Sequence, residues 1–103
     1  MDGRKDDGLS GTGALKSRWE LLPWGPVAEV VEVLGHGARK YSPWNFLKVA
    51  DGRTRYFAAA IRHLLADWAG EELDPDSGLP HLAHAVCCLL FIRELKRRGI
   101  EGS

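Results

Sequence analysis

Two residue pairs at helical spacing carry the chemistry that is easiest to read in this chain. Glu29 and Glu32 are three positions apart, and so are His81 and His84. Residues three apart share a face of a helix, so each pair would aim at one point. Two carboxylates placed in this way repel unless a cation lies between them, which suits a hard divalent ion. Two neutral imidazoles are natural metal ligands or proton carriers. Ordinary readings stand beside these: a solvated helix face explains most ExxE pairs, and histidines near a helix start can cap it. Against the first, Glu29 and Glu32 lie among Val27, Val30, Val31, Val33 and Leu34, which leaves little polar face for them to decorate. His63 and Asp67, four apart, are either an imidazole and carboxylate pair supporting the same site or a surface pair. Glu71, Asp74 and Asp76 form another acidic set, in a segment whose length and Asp-Pro and Ser-Gly-Leu-Pro pieces favour a functional loop over a plain connector.

Cations gather earlier in the chain, at Lys16, Arg18, Arg39, Lys40, Lys48, Arg53, Arg55 and Arg62, interleaved with Trp19, Trp24, Tyr41, Trp44 and Tyr56. Cations, aromatic rings and carboxylates able to hold Mg²⁺ are what a nucleoside triphosphate site needs. The chain has no Walker A loop, and Gly35-His36-Gly37 lacks the third glycine and the preceding strand of a dinucleotide fingerprint. An all-helical nucleotide site remains.

Four helical pieces would position these residues, one of them a short segment at Ala38 to Tyr41. Pro26 suits a first helical position, and the run to Leu34 forms a short amphipathic element that Gly35-His36-Gly37 should end. Thr54 to Ala69 carries Phe57, Ile61, Leu64, Leu65 and Trp68 at helical spacing and stops at Gly70. Pro80 opens a last helix that runs to about Arg98, before Gly99. Residues 1–14 read as a glycine-rich mobile arm and residues 15–103 as one all-α domain, with Lys16 to Gly25 as structured coil or a single turn.

Composition sets the bounds. With 103 residues, 14 basic and 14 acidic side chains and 45% hydrophobic residues, the chain is one small domain. Zero formal charge argues against a general nucleic-acid binder, which needs a basic excess. No apolar run is long enough to span a membrane, and the start lacks the apolar core of a signal peptide, so a cytoplasmic location is expected. Cys87 and Cys88 are consecutive on a helix, a strained arrangement for a disulfide, and read as buried thiols. Ala85 through Ile92 is apolar all round, which predicts a helical bundle completed by a second subunit, as a dimer or tetramer.

Five short motifs in order, Lys16-Ser17-Arg18-Trp19-Glu20-Leu21-Leu22-Pro23, Gly37-Ala38-Arg39-Lys40-Tyr41 with Trp44-Asn45, Arg62-His63-Leu64-Leu65-Ala66, Gly70-Glu71 through Gly78, and His81-Leu82-Ala83-His84-Ala85, resemble the phage dATP/dGTP diphosphohydrolase family, the MazZ-like proteins. That family looks like a branch of the MazG-like all-α nucleoside triphosphate pyrophosphohydrolases. The resemblance implies release of pyrophosphate from dGTP or dATP, by water whose pKa is lowered by Mg²⁺, Mn²⁺ or Co²⁺. In some phages the resulting dGMP enters synthesis of the base 2-aminoadenine. Glu29 and Glu32 match the family's ExxE pair; the second pair departs from the pattern. At the start of the last helix the broader superfamily has ExxD, where this chain has His81-Leu82-Ala83-His84, and a literal ExxD stands earlier as Glu71-Glu72-Leu73-Asp74. The implied site holds metal with Glu29, Glu32, His81 and His84, then Asp74, with His63 beside the catalytic glutamates. Arg39, Lys40 and Arg62, with Lys16 and Arg18, would brace phosphates, and Trp44, Asn45 and Tyr41 would contact base or sugar. The competing readings are a catalytically inactive nucleotide or metal-binding module, an HD-type phosphohydrolase, which the lack of a His-Asp dipeptide disfavours, and a helical DNA-binding regulator.

Overall fold

The computed structural model describes residues 16–100, so the expected arm at residues 1–14 lies outside the described residues. Three helices of equal length, α1 (Trp24–Lys40), α2 (Gly52–Trp68) and α3 (His81–Arg97), carry the fold, with short 3-10 turns at Trp19–Leu21 and Asn45–Lys48. There is no strand among the described residues, only an isolated bridge between Leu73 and Pro80. The all-α expectation holds.

α1 is longer than its glycines suggest. Gly35 and Gly37 were expected to end it, yet the helix continues to Lys40 and closes where the Tyr41 N–H donates to the Gly37 carbonyl at 2.9 Å. Each internal glycine costs about 1 kcal/mol relative to alanine. Packing offsets this: Val30 and Val33 are buried against α3, and at the end of the helix Lys40 is tied to Asp76.

α2 starts two residues before the expected Thr54. Gly52 at its start is buried beside Leu95 and Tyr56, so that a Cβ there would lie 3.3 Å from Leu95 Cδ1. Its other end is the expected glycine stop. Gly70 takes φ +107°, its N–H donates to the Asp67 carbonyl at 3.0 Å, and the Glu71 N–H reaches the Ala66 carbonyl at 3.0 Å, the paired bonds of a Schellman cap. α3 ends in the same way, with Gly99 at φ +67°, Gly99 N–H to Lys96 and Ile100 N–H to Leu95.

α3 is the middle helix, packed against α1 on one side and against α2, which runs antiparallel to it, on another. Val30 and Val33 of α1 meet Ala83 and Cys87 of α3, with Leu79 and Phe91 at the margin. Towards the C-terminal end, Phe91 stacks on Phe46 with centroids 4.3 Å apart and takes the edge of Tyr56 at 5.0 Å. Burial pushes the Cys87 thiol up to about 12 and Cys88 to about 11, so both are inert thiols, as their position on the helix implied. The apolar girdle of α3 is covered only in part: Val86, Leu89 and Leu90 are exposed.

Candidate active site

The connection from α2 to α3 is a built structure. The Asp74 N–H donates to the Leu79 carbonyl at 2.8 Å, the Gly78 N–H to Asp74 at 2.7 Å, and the His81 N–H to Glu72 at 2.9 Å. The Asp74 carboxylate caps the turn, accepting the Asp76 N–H at 2.7 Å and the Ser77 N–H at 3.4 Å. This fixes Asp74 beside the first turn of α3 and the last turns of α2.

Three histidines converge there. His63 Nδ1 of α2 lies 2.9 Å from His81 Nδ1, and the rings of His63 and His84 stack at 4.7 Å. Asp74 Oδ2 stands 3.9 Å from His63 Nδ1 and 4.0 Å from His84 Nε2. The outer nitrogens are held. His81 Nε2 meets Glu71 Oε1 at 2.7 Å, and His84 Nε2 meets Ser77 Oγ at 2.7 Å, an oxygen that also accepts the Leu79 N–H. A carboxylate on one ring nitrogen fixes tautomer and orientation and leaves the other nitrogen's lone pair to a ligand.

The charges suit that role. Burial, then His84 and His81, hold His63 below its ordinary range, and burial lowers His84 likewise, so both are neutral at pH 7. Burial alone would raise Asp74; the Asp76 N–H, His84, the Ser77 N–H and His63 outweigh it and keep the carboxyl ionised. His63, Asp74 and His81 each place a ligand atom within 4.8 Å of the other two, and form the one such group among the described residues. Imidazole nitrogens with a carboxylate fit a divalent transition ion, Mn²⁺ or Co²⁺, better than Mg²⁺, which prefers oxygen.

The two alternatives for completing the ExxE pair prove to be neighbours. Glu71 and Asp74 of the loop and His81 and His84 of α3 belong to one cluster. Other expected residues lie elsewhere. Glu29 lines a separate hollow of about 230 Å³ with Asp67, Glu72, Leu82 and Val86, and Glu32 is exposed, with no partner among the described residues. Asp67 therefore faces the carboxylate hollow, and His63 is satisfied by His81 instead. Lys40 donates to Asp76 Oδ2 at 3.0 Å, with His36 Nε2 at 3.7 Å from the same oxygen, so α1 touches the loop next to the histidines. Arg39, Arg62 and Lys16 are exposed, and Arg18 pairs with Glu20 at 2.8 Å.

Two of the expected base contacts, Trp44 and Asn45, lie towards the other end of α3. Trp44, in left-handed backbone at φ 61°, packs near Phe46 and under the Arg98 guanidinium at 5.3 Å; Asn45 opens the following turn, and Tyr41 is exposed beside Lys40. His81 and Arg98 bracket α3, about 25 Å of helix apart. Within one chain Trp44, Asn45 and the histidines are not brought together. The sequence singled out neither Ser77 nor His36 for the site, although the four-residue spacing of His36 and Lys40 was available as a signal.

Fold and site together define a small all-α protein with a histidine-rich candidate metal centre. A family model described as dATP/dGTP diphosphohydrolase, N-terminal, matches residues 7–103, and the chain belongs to that family. Neither the curated proteins nor the solved structures gave a match.

Proposed function

We propose that the chain hydrolyses the purine deoxynucleoside triphosphates dGTP and dATP to the monophosphate and pyrophosphate with the help of a divalent cation, in phage nucleotide metabolism within the host cytoplasm. The observation that carries this reading is the convergence of His63, His81, His84 and Asp74 in a chain of this family. His63, His81 and Asp74 would hold the ion, with His84 adjacent. Once bound, it would neutralise phosphate charge and lower the pKa of the attacking water. Glu71 orients His81 and Ser77 orients His84. Glu29, with Asp67 and Glu72 around its hollow, offers oxygen ligands suited to a second, harder ion. Arg39 and Arg62, exposed and without an ion pair among the described residues, remain available to phosphates.

The experiment is product analysis. The full chain is incubated with each deoxynucleoside triphosphate and Mn²⁺, Co²⁺ or Mg²⁺. Pyrophosphate and monophosphate from dGTP or dATP support the reading. Triphosphate release would favour HD-type chemistry, and nucleotide binding without turnover would make the chain an inactive module.

A further inference from the structure

Two side chains on one face of α1 aim at a single oxygen of the loop. Lys40 Nζ donates to Asp76 Oδ2 at 3.0 Å, while His36 Nε2, one helical turn earlier, stands 3.7 Å from the same oxygen. That gap is too long for a hydrogen bond. His36 Nε2 is also the one buried side-chain nitrogen or oxygen without a hydrogen-bond partner among the described residues. Buried polar groups are normally paired, so an orphan beside a charged oxygen marks a place suited to a better acceptor.

Asp76 is a loose occupant of this place. Its carboxylate is 66% exposed, and among the described residues its side-chain partners are Lys40 and His36 alone. The loop is held instead by the Asp76 backbone N–H, which donates to Asp74 Oδ1 at 2.7 Å. The carboxylate can therefore swing into solvent without undoing the turn that fixes Asp74. What it uncovers are two donors beside the histidine cluster, because Ser77, the next residue, meets His84 Nε2 at 2.7 Å. A phosphate carries several oxygens in tetrahedral array and can take both donors at once, with charge assistance at Lys40. The carboxylate oxygen bonds only Lys40.

We propose that His36 and Lys40 form the receptor for the terminal phosphates of the triphosphate, the part released as pyrophosphate, and that Asp76 stands in for them until nucleotide displaces it. The proposal rests on the hydrolase reading and adds a selection step to it: a triphosphate brings the oxygens that evict Asp76, and a monophosphate does not. His36 is then a specificity-determining residue, and Asp76 competes with substrate.

Calorimetric titration of the full chain with pyrophosphate and with dGMP, each with Mn²⁺ present, reads the receptor without turnover. Asp76→Ala keeps the backbone N–H that caps onto Asp74, and should bind pyrophosphate about tenfold tighter than the native chain does, with dGMP affinity unchanged. His36→Phe and Lys40→Ala, each checked for helix by circular dichroism, should weaken pyrophosphate binding about tenfold, and His36→Phe added to Asp76→Ala should abolish its gain. Pyrophosphate affinity unchanged or weaker in Asp76→Ala, a gain that survives His36→Phe, or an equal gain for dGMP would overturn the proposal. The hydrolase reading fails separately: a chain that binds pyrophosphate in this pattern but releases none from dGTP keeps the receptor and loses the activity.

Discussion

His63 Nδ1 and His81 Nδ1 face each other at 2.9 Å, two nitrogens of the same kind from helices joined by the loop that also delivers Asp74. Without an ion one of them must carry the proton that bridges them. With one, both can offer lone pairs, since ligands about 2.0–2.1 Å from a tetrahedral ion stand roughly 3.3 Å apart. Divalent binding should therefore shift that proton to the far nitrogen of its own ring, a change of tautomer with no net release from a neutral imidazole, and move the facing nitrogens slightly apart. Calorimetry in buffers of different ionisation enthalpy should show little net proton release on Co²⁺ or Mn²⁺ binding near pH 7 and more at pH 5.5, where the histidines begin to take up protons; release that does not change between the two would mean the pair is not the ligand set.

The carboxylate behind His81 should matter almost as much as the ligands. Glu71→Gln keeps shape but weakens the hold on Nε2, and should lower divalent affinity about 10–100-fold. Asp74→Asn should cost at least as much. Unchanged affinity in both variants would place the ion elsewhere.

Glu29 and Glu32 should separate functionally, although their spacing makes them look equivalent. Glu29 faces the hollow with Asp67 and Glu72, and Glu32 faces solvent. Glu29→Gln should lower turnover of dGTP at least tenfold more than Glu32→Gln. Equal losses, measured as kcat/KM, would contradict the separation.

Stability should fall on acidification in two stages. His63 and His84 are held below their ordinary value of 6.5, chiefly by burial, so below that pH the unfolded chain binds protons that the folded one resists, and stability drops. Asp74 is held below its ordinary 3.8, despite the burial that would raise it; its contribution is present above that pH and disappears as pH falls through the lower folded value. The metal-free chain should lose several degrees of Tm between pH 7 and 5.5, then more below pH 4, as read by thermal circular dichroism. A flat or rising Tm over the first interval would contradict the neutral-histidine cluster.

Two glycines should respond in opposite senses to alanine. At Gly52 a Cβ would meet Leu95 Cδ1 at 3.3 Å in a buried contact, so Gly52→Ala should destabilise by about 1–3 kcal/mol. At Gly37 nothing lies within 4 Å of the added carbon inside α1, so Gly37→Ala should stabilise by roughly 0.5–1 kcal/mol. Chemical denaturation of the two variants checks both signs.

The parts of the molecule legible in the sequence are those fixed by local rules. α2 and α3 follow from the spacing of Phe57, Ile61, Leu64 and Trp68 and from Pro80, and both stop at glycines in the left-handed region. The same rule misleads at Gly35 and Gly37, because α1 is held by partners distant in sequence: Val30 and Val33 pack on α3, and Lys40 reaches Asp76, thirty-six residues beyond it. In the candidate site the histidine spacing was readable. Spacing could not show that a capped turn at Asp74 folds the loop back onto α3, which makes partners of Glu71, Asp74, His81 and His63. The same gap explains Asp67, which shares a helix face with His63 but points into a different hollow.

The most direct test is turnover of dGTP by the native chain and by Asp74→Asn, at saturating Mn²⁺ or Co²⁺, with products separated. The native chain should release dGMP and pyrophosphate in equal amounts, and the variant should lose at least 100-fold in kcat while keeping its helical circular dichroism. Undiminished turnover in Asp74→Asn, or no pyrophosphate from the native chain with any divalent ion, would contradict a hydrolytic centre built on His63, His81 and Asp74.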